Sequence, residues 1–277
     1  MYRISPFTPL FFNPSTDSTG IKSRYVQTFS PEDRILLQVI STDGNMSPQV
    51  YLHDVLHGTR TAIAMLSWKM NSGETLFFRE LFGLYEGIYV VGVNGMESEP
   101  FRITRNIKDT VLIQYSNLTN RLRRDAVFVI DGMPYFFDFR VPGGFKDDDW
   151  IFGVDNEQYT TSENDVLDIY GMENMQKTLT LGGPAGCPVW FAEKLNRILC
   201  CAFFYVDGRR YVRSESSVPE MNVLVEGLKS YVFKQALRPV NILDPELKER
   251  VQFYLRRVDS MTFRSIDEGN DNKPKMI

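Results

Sequence analysis

Few residues in this chain have types and spacing that could do chemistry, and each group meets a physical objection. The two histidines sit together in His53-Asp54-Val55-Leu56-His57. A histidine pair at i, i+4 on a helix can hold a metal ion. Gly58 follows at once and strand-like runs flank the segment, so a solvated loop is the reading, and no third ligand lies near. Asp147-Asp148-Asp149 offers the hard oxygens that Ca²⁺ collects in sets of about six to eight. The run lacks the alternating acids and distal glutamate of an EF-hand loop, and consecutive side chains point apart, so a charged loop is expected there. Asp155, Glu157, Asp165 and Asp168 are scattered, without the geometry of a paired carboxylate. Gly182-Gly183-Pro184-Ala185-Gly186 invites comparison with a phosphate-binding loop, but no Lys-Ser/Thr follows and G-x-G-x-x-G is absent.

Cys187, Cys200 and Cys201 are odd in number and contain no C-x-x-C. Adjacent Cys200 and Cys201 would point to opposite faces of a strand. Reduced, buried cysteines in a protein folded in a cytoplasm are expected. No catalytic, cofactor-binding or metal-ligating residue is therefore assigned.

The elements that would position these groups read as β-structure. Residues 1–24 form an N-terminal arm or first strand, rich in Pro, Ser and Thr but carrying Phe7, Leu10, Phe11 and Phe12. Residues 25–106 hold short apolar runs at Ile35–Ile40, Gln49–Leu52, Ala62–Trp68, Leu76–Phe78 and Ile88–Val93. Asn94-Gly95 makes a type I′ hairpin turn and Pro100–Ile103 the closing strand. Strands at this spacing predict an immunoglobulin-like β-sandwich.

Residues 107–241 predict a second β-rich domain. Thr110–Tyr115 is a strand, and Asp131-Gly132 joins Val127–Ile130 to Met133–Val141, with Tyr135, Phe137, Phe139 and Val141 on its core face. Pro142-Gly143-Gly144 is expected to end that strand. After a strand at Leu179–Leu181, one short helix spans Pro188–Leu199, its stripe Phe191, Leu195 and Ile198. It is expected to cover one face of the strand Cys200–Val206, which is apolar on both faces, while the other face lies in a sandwich core. Asp207-Gly208 then turns into Arg209–Arg213. There Arg209, Arg210 and Arg213 form a basic edge that either protects an exposed strand or meets an acidic neighbouring subunit. Residues 242–277 are a C-terminal helix from Asp244-Pro245 and a flexible tail. Tyr254, Arg256 and Arg257 lie on that helix, which is either packed on its own domain or offered to a partner.

Thirty-one basic and 35 acidic residues give a net charge of −4, which argues against a surface devoted to nucleic acid. No apolar run reaches the ~18 residues of a membrane span, and prolines at 6, 9 and 14 interrupt the start, so no signal peptide is expected.

Four stretches together carry a family likeness: Leu84–Ile103 (LYEGIYVVGVNGMESEPFRI), Val111–Asn117 (VLIQYSN), Phe137–Phe145 (FDFRVPGGF) and Thr178–Glu215 with its Gly-Cys-Pro-Val-Trp and Lys-Leu-Asn. The series resembles structural virion proteins, of the tail or head–tail connector, from phages and prophages of Bacteroidales, the crAss-like phages included. The likeness covers residues 30–235, and the matched positions are turn glycines, hairpins and core aromatics. It implies a non-enzymatic assembly protein made in the host cytoplasm and built into the virion. Its partners would be copies of itself, in a homo-oligomeric ring, and other virion proteins, without membrane, nucleic acid or cofactor. A glycan- or protein-binding β-sandwich module is the second reading. A hydrolase with an acidic metal site at Asp147–Asp149 is the third.

Overall fold

The computed structural model describes residues 1–12, 26–42, 46–120, 124–183, 186–214, 220–225 and 230–240, apart from the side chains of 146–150, 172–173, 220–225 and 230. The fold is mainly β, with one short helix among these residues. The predicted C-terminal helix, with Tyr254, Arg256 and Arg257, lies outside the described residues. Met1–Pro239 forms one compact unit, and every strand and the helix belong to it.

The first ten strands form two sheets. They are β1 (Tyr2–Ile4), β2 (Gln27–Phe29), β3 (Ile35–Ser41), β4 (Val50–Asp54), β5 (Thr59–Ala62), β6 (Leu66–Lys69), β7 (Thr75–Leu81), β8 (Gly87–Val93), β9 (Met96–Glu97) and β10 (Phe101–Ile103). One sheet has the order β1-β3-β7-β6. The other has β2-β10-β8-β4-β5, with β9 also on β8. The apolar run 62–68 thus serves two strands, one in each sheet. Asn94 and Gly95 take the positive φ of the expected hairpin turn, at 46° and 84°. Alternation fills the sandwich: Ile35, Leu37 and Val39 of β3 meet Val91, Val93 and Phe101 in one apolar cluster.

The later strands close on themselves. They are β11 (Thr110–Ser116), β12 (Val129–Ile130), β13 (Met133–Pro134), β14 (Phe137–Thr160), β15 (Val166–Leu181), β16 (Phe203–Val206), β17 (Arg209–Arg213), β18 (Glu220–Val225) and β19 (Ser230–Pro239), with helix α1 (Val189–Ile198) between β15 and β16. Pairing runs β15-β14-β11-β16-β17-β19, and β19 pairs back onto β15, which makes a six-stranded antiparallel barrel with β18 outside on β19. Its interior is aromatic: Tyr115 stacks on Phe137 at 5.2 Å, and Phe139 on Phe191 at 5.6 Å. The Asp131-Gly132 turn forms as expected, but its hairpin is only the short pair β12–β13.

Helix α1 departs from expectation in two ways. Pro188 is its N-cap rather than its first helical residue. Its stripe also packs into the same cluster as Phe204 and Val206, on the barrel's inner side, and not against the opposite face of β16. That opposite face is met instead by Phe136, whose ring lies 6.0 Å from Tyr205. Strand β16 is shorter than the run 200–206, because Cys200 and Cys201 complete the turn after α1, their N–H groups bonded to Arg197 and Ile198 carbonyls. Cys200 is exposed as a result, against the expectation of buried cysteines; Cys187 is buried.

Sandwich and barrel share a core, so residue 106/107 marks a change of sheet inside one unit. Strand β3 is buried along its whole length. Leu36 and Ile40 of β3, with Leu76 and Phe78 of β7, turn away from the sandwich and join the barrel's cluster, together with Phe7 and Phe11 of the N-terminal segment. Polar groups fasten the seam. The Gln38 amide donates to the Val127 carbonyl at 2.6 Å and accepts from its N–H at 3.1 Å. Arg140 grips Asp33 with two N–H groups, at 2.7 and 2.8 Å. The face of β14 opposite Phe137 and Phe139 is therefore buried as well, with Arg140 paired to Asp33 across the seam and Asp138 hydrogen-bonded to the Arg34 N–H and the Gln114 amide.

Candidate interaction surface

The sequence's chemical candidates become structural parts. His53 lies in β4, opposite Arg60 and Val90. His57 closes the following turn: its N–H donates to Asp54 Oδ1 at 3.1 Å, and its Nδ1 lies 2.7 Å from Asp54 Oδ2. That bond, first among its causes, holds the Asp54 carboxyl below its ordinary range. Cys187 bridges to Tyr231 through the backbone, and burial pushes its thiol up to about 12, which leaves no thiolate near neutrality. Among the described residues no group of three or more His, Cys, Asp or Glu is arranged to hold a metal. None of their helices is long and apolar enough to cross a membrane.

The glycines 143 and 144 do not end a strand. β14 runs through them, at φ 113° and 152°. A Cβ on Gly143 would stand 2.0 Å from the Thr180 carbonyl oxygen, so glycine here lets β14 and β15 approach as the pair leaves the barrel. Asp147–Asp149, expected in a loop, continue the strand. They fall at a break in register, between the pairs Phe145↔Leu179 and Trp150↔Lys177.

Beyond that break, from Ile151↔Gln176 to Thr160↔Val166, β14 and β15 pair only with each other, a ribbon about 30 Å long at ~3.3 Å per residue. Thr161–Asp165 turns its tip, with Asn164 at φ 66°. Both faces expose apolar side chains. Phe152, Val154 and Val166 share one; Ile151, Tyr159, Leu167 and Tyr170 share the other; Ile169 is extra, in a bulge. Phe152 is 78% exposed. One brace ties the ribbon to the barrel: Arg238 of β19 donates to Asn174 at 2.9 Å and Asp155 at 3.0 Å. Sequence reading missed this element, although the alternation of Trp150, Phe152 and Val154, and a polar Thr-Ser-Glu-Asn-Asp turn ahead of Val166, were its signals.

The three arginines of β17 are not on an edge. β17 pairs with β16 through Arg209 and Arg210, and with β19 through Tyr211–Arg213. Arg209 is exposed and lies over the Tyr211 ring; Arg210 lies over Phe203, 5.2 Å from its centroid, and donates to the Ala202 carbonyl. Arg213 donates to the Asn196 side chain of α1. Their acceptors are neutral, and the Nε atoms of Arg210 and Arg213 have no partner. Exposed Val212 shares the outer face of β17 with Arg210, while Arg209 and Arg213 flank buried Tyr211 on the inner one.

Two buried titratable groups also escaped sequence reading. Asp138 accepts from the Arg34 N–H and the Gln114 amide, both at 2.9 Å, and burial raises its carboxyl to about 7. Lys194 sits on the helix stripe, three residues after Phe191. Its ammonium donates to the Thr8 and Leu10 carbonyls and lies 4.4 Å over Phe11; burial lowers it to about 7. These groups fasten the N-terminal segment and the seam.

Set against known proteins, the sequence matches no family model and no curated protein.

Proposed function

We propose that this chain is a non-enzymatic structural assembly protein of a phage particle, acting in the tail or head–tail connector region through rings or stacks of copies. The ribbon of β14 and β15 carries the reading. A two-stranded hairpin is marginal alone in water, and one with apolar residues on both faces and two open edges is a site of association. The virion-protein resemblance supports the same reading, as does the use of the buried charges Asp33, Arg140, Asp138 and Lys194 as fasteners. The test is light scattering of the purified chain, alone and mixed with the products of neighbouring genes. Assemblies larger than 32.0 kDa are expected, and a monomer that binds none of them sinks the proposal.

A second reading, a glycan- or protein-binding sandwich, has Phe82 and Tyr85 in its favour, 55% and 88% exposed beside β7 and β8. A glycan array without hits removes its carbohydrate form.

A further inference from the structure

We infer that the ribbon's occupant is a second copy of this chain, and that the ribbon lies across the arginine-bearing wall of the barrel, β16 and β17, on that copy. This rests on the assembly reading above and adds its contact.

Three observations lead there. The first is charge. Residues 146–177 hold nine acidic and two basic side chains, a net −7 in a chain of net −4, so the remainder carries +3. Acids such as Glu157 and Asp168 are exposed on the ribbon, while Arg209, Arg210 and Arg213 are in no ion pair among the described residues, and the acceptors of Arg210 and Arg213 are neutral. A negative ribbon is repelled by nucleic acid and by an anionic bilayer; it is attracted to a cationic protein wall.

The second is position. Around the closed barrel the order is β14, β11, β16, β17, β19, β15. One strand, β11 on one side and β19 on the other, separates the ribbon's pair from the arginine wall, so the two pairs lie on opposite sides of the barrel. A contact between opposite sides of two copies is head-to-tail, and such contacts repeat, closing into a ring where the rotation permits and otherwise running on as a stack. The third is size. The ribbon from Ile151 to Gln176 supplies 26 residues, within the ~20–30 residues per side of a stable interface. Exposed Val212 shares the outer face of β17 with Arg210 and gives the ribbon's apolar residues a place to land beside it.

The test uses the full chain and charge-reversed variants, weighed by sedimentation over a concentration series. E157R/D168R reverses the ribbon, and R209E/R213E reverses the wall. Wild type is expected to assemble, and each variant alone to associate on the order of 100-fold more weakly. An equal mixture should recover assembly, because each unlike contact is then either native or fully swapped. A third variant replaces residues 151–176 with Asn-Gly and should be folded and monomeric; matching circular dichroism keeps misfolding from imitating the result. Variants that assemble like wild type overturn this contact and leave the assembly reading standing. A wild-type chain that stays monomeric, or that binds neutral phosphatidylcholine vesicles instead, overturns the self-docking. Failure to bind any virion partner is what overturns the wider reading.

Discussion

β14 and β15 are one pair of strands with two fates. At their root, Phe137, Phe139, Val141, Leu179 and Leu181 are almost wholly buried in the barrel. Past the register break the same strands expose Phe152, Val154, Tyr159 and Leu167. At the root these apolar residues are buried within the chain, so they specify the fold. Among the described ribbon residues none joins either apolar cluster, so those residues can specify a neighbour. Equal chemical changes in the two regions should therefore have unequal effects on stability and opposite effects on assembly.

The largest loss is expected at the root. Phe139→Ala should cost about 3–5 kcal/mol, because it empties a site shared by Phe11 and Phe191. Gly143→Ala should be of similar size, since its Cβ has no room beside Thr180 and its φ is strained for alanine. Denaturant midpoints measure both. A loss under about 1 kcal/mol at either position would mean that the root is not the organising core.

Next comes the seam that holds sandwich to barrel. Asp33→Ala leaves the Arg140 guanidinium buried and unpaired, at a cost of about 3 kcal/mol or more. D33L/R140M, which removes both charges, should cost less than the single change, because the orphaned ion is the expensive species. A double variant worse than D33A, in the same melts, would show that the pair contributes more than its own neutralisation.

A smaller effect is expected in pH. Folded Asp138 keeps its proton up to about 7, against an ordinary 3.8. Its contribution is therefore complete below about 3.8 and is lost as pH rises to 7. Folded Lys194 releases its proton near 7, against an ordinary 10.5. The unfolded chain holds that proton longer, so stability rises with pH between 7 and 10.5. Together the two groups place a minimum near neutrality. In melting temperature against pH, Asp138→Asn should flatten the acid limb and Lys194→Met the alkaline one. Limbs unchanged by either substitution would assign the slope to other groups.

How much of this was legible in the sequence depends on how local each cause is. The turns at Asn94-Gly95, Asp131-Gly132 and Asp207-Gly208 declare themselves, because positive φ at those residue types is a local property. The stripe of α1 and the alternation of β3 are likewise local patterns. Barrel closure is not: it depends on β19 returning to β15, some fifty residues away in the chain. Gly143-Gly144 read as a stop because glycine most often ends strands, whereas here it permits a close approach to Thr180, which no local pattern records. Lys194 was partly readable. Three residues from Phe191 and four before Ile198, it had to lie on the buried stripe, and only the carbonyls that receive it were hidden.

The smallest effect on stability is predicted where the effect on assembly is greatest. Val154→Asp and Leu167→Asp change exposed ribbon positions on opposite faces, so each should shift stability by no more than about 0.5 kcal/mol. If one face of the ribbon meets the neighbour, one of the two will abolish self-association and the other will spare it. If the neighbour wraps the ribbon, both will abolish it. If both variants are destabilised like the root, the ribbon belongs to the fold. Sedimentation and thermal melts on the same samples separate these cases. Arg238 adds a reason to expect asymmetry: it braces the face that carries Asp155, which leaves the face of Phe152, Val154 and Val166 the more open of the two. Val154→Asp is therefore the substitution expected to dissociate the copies.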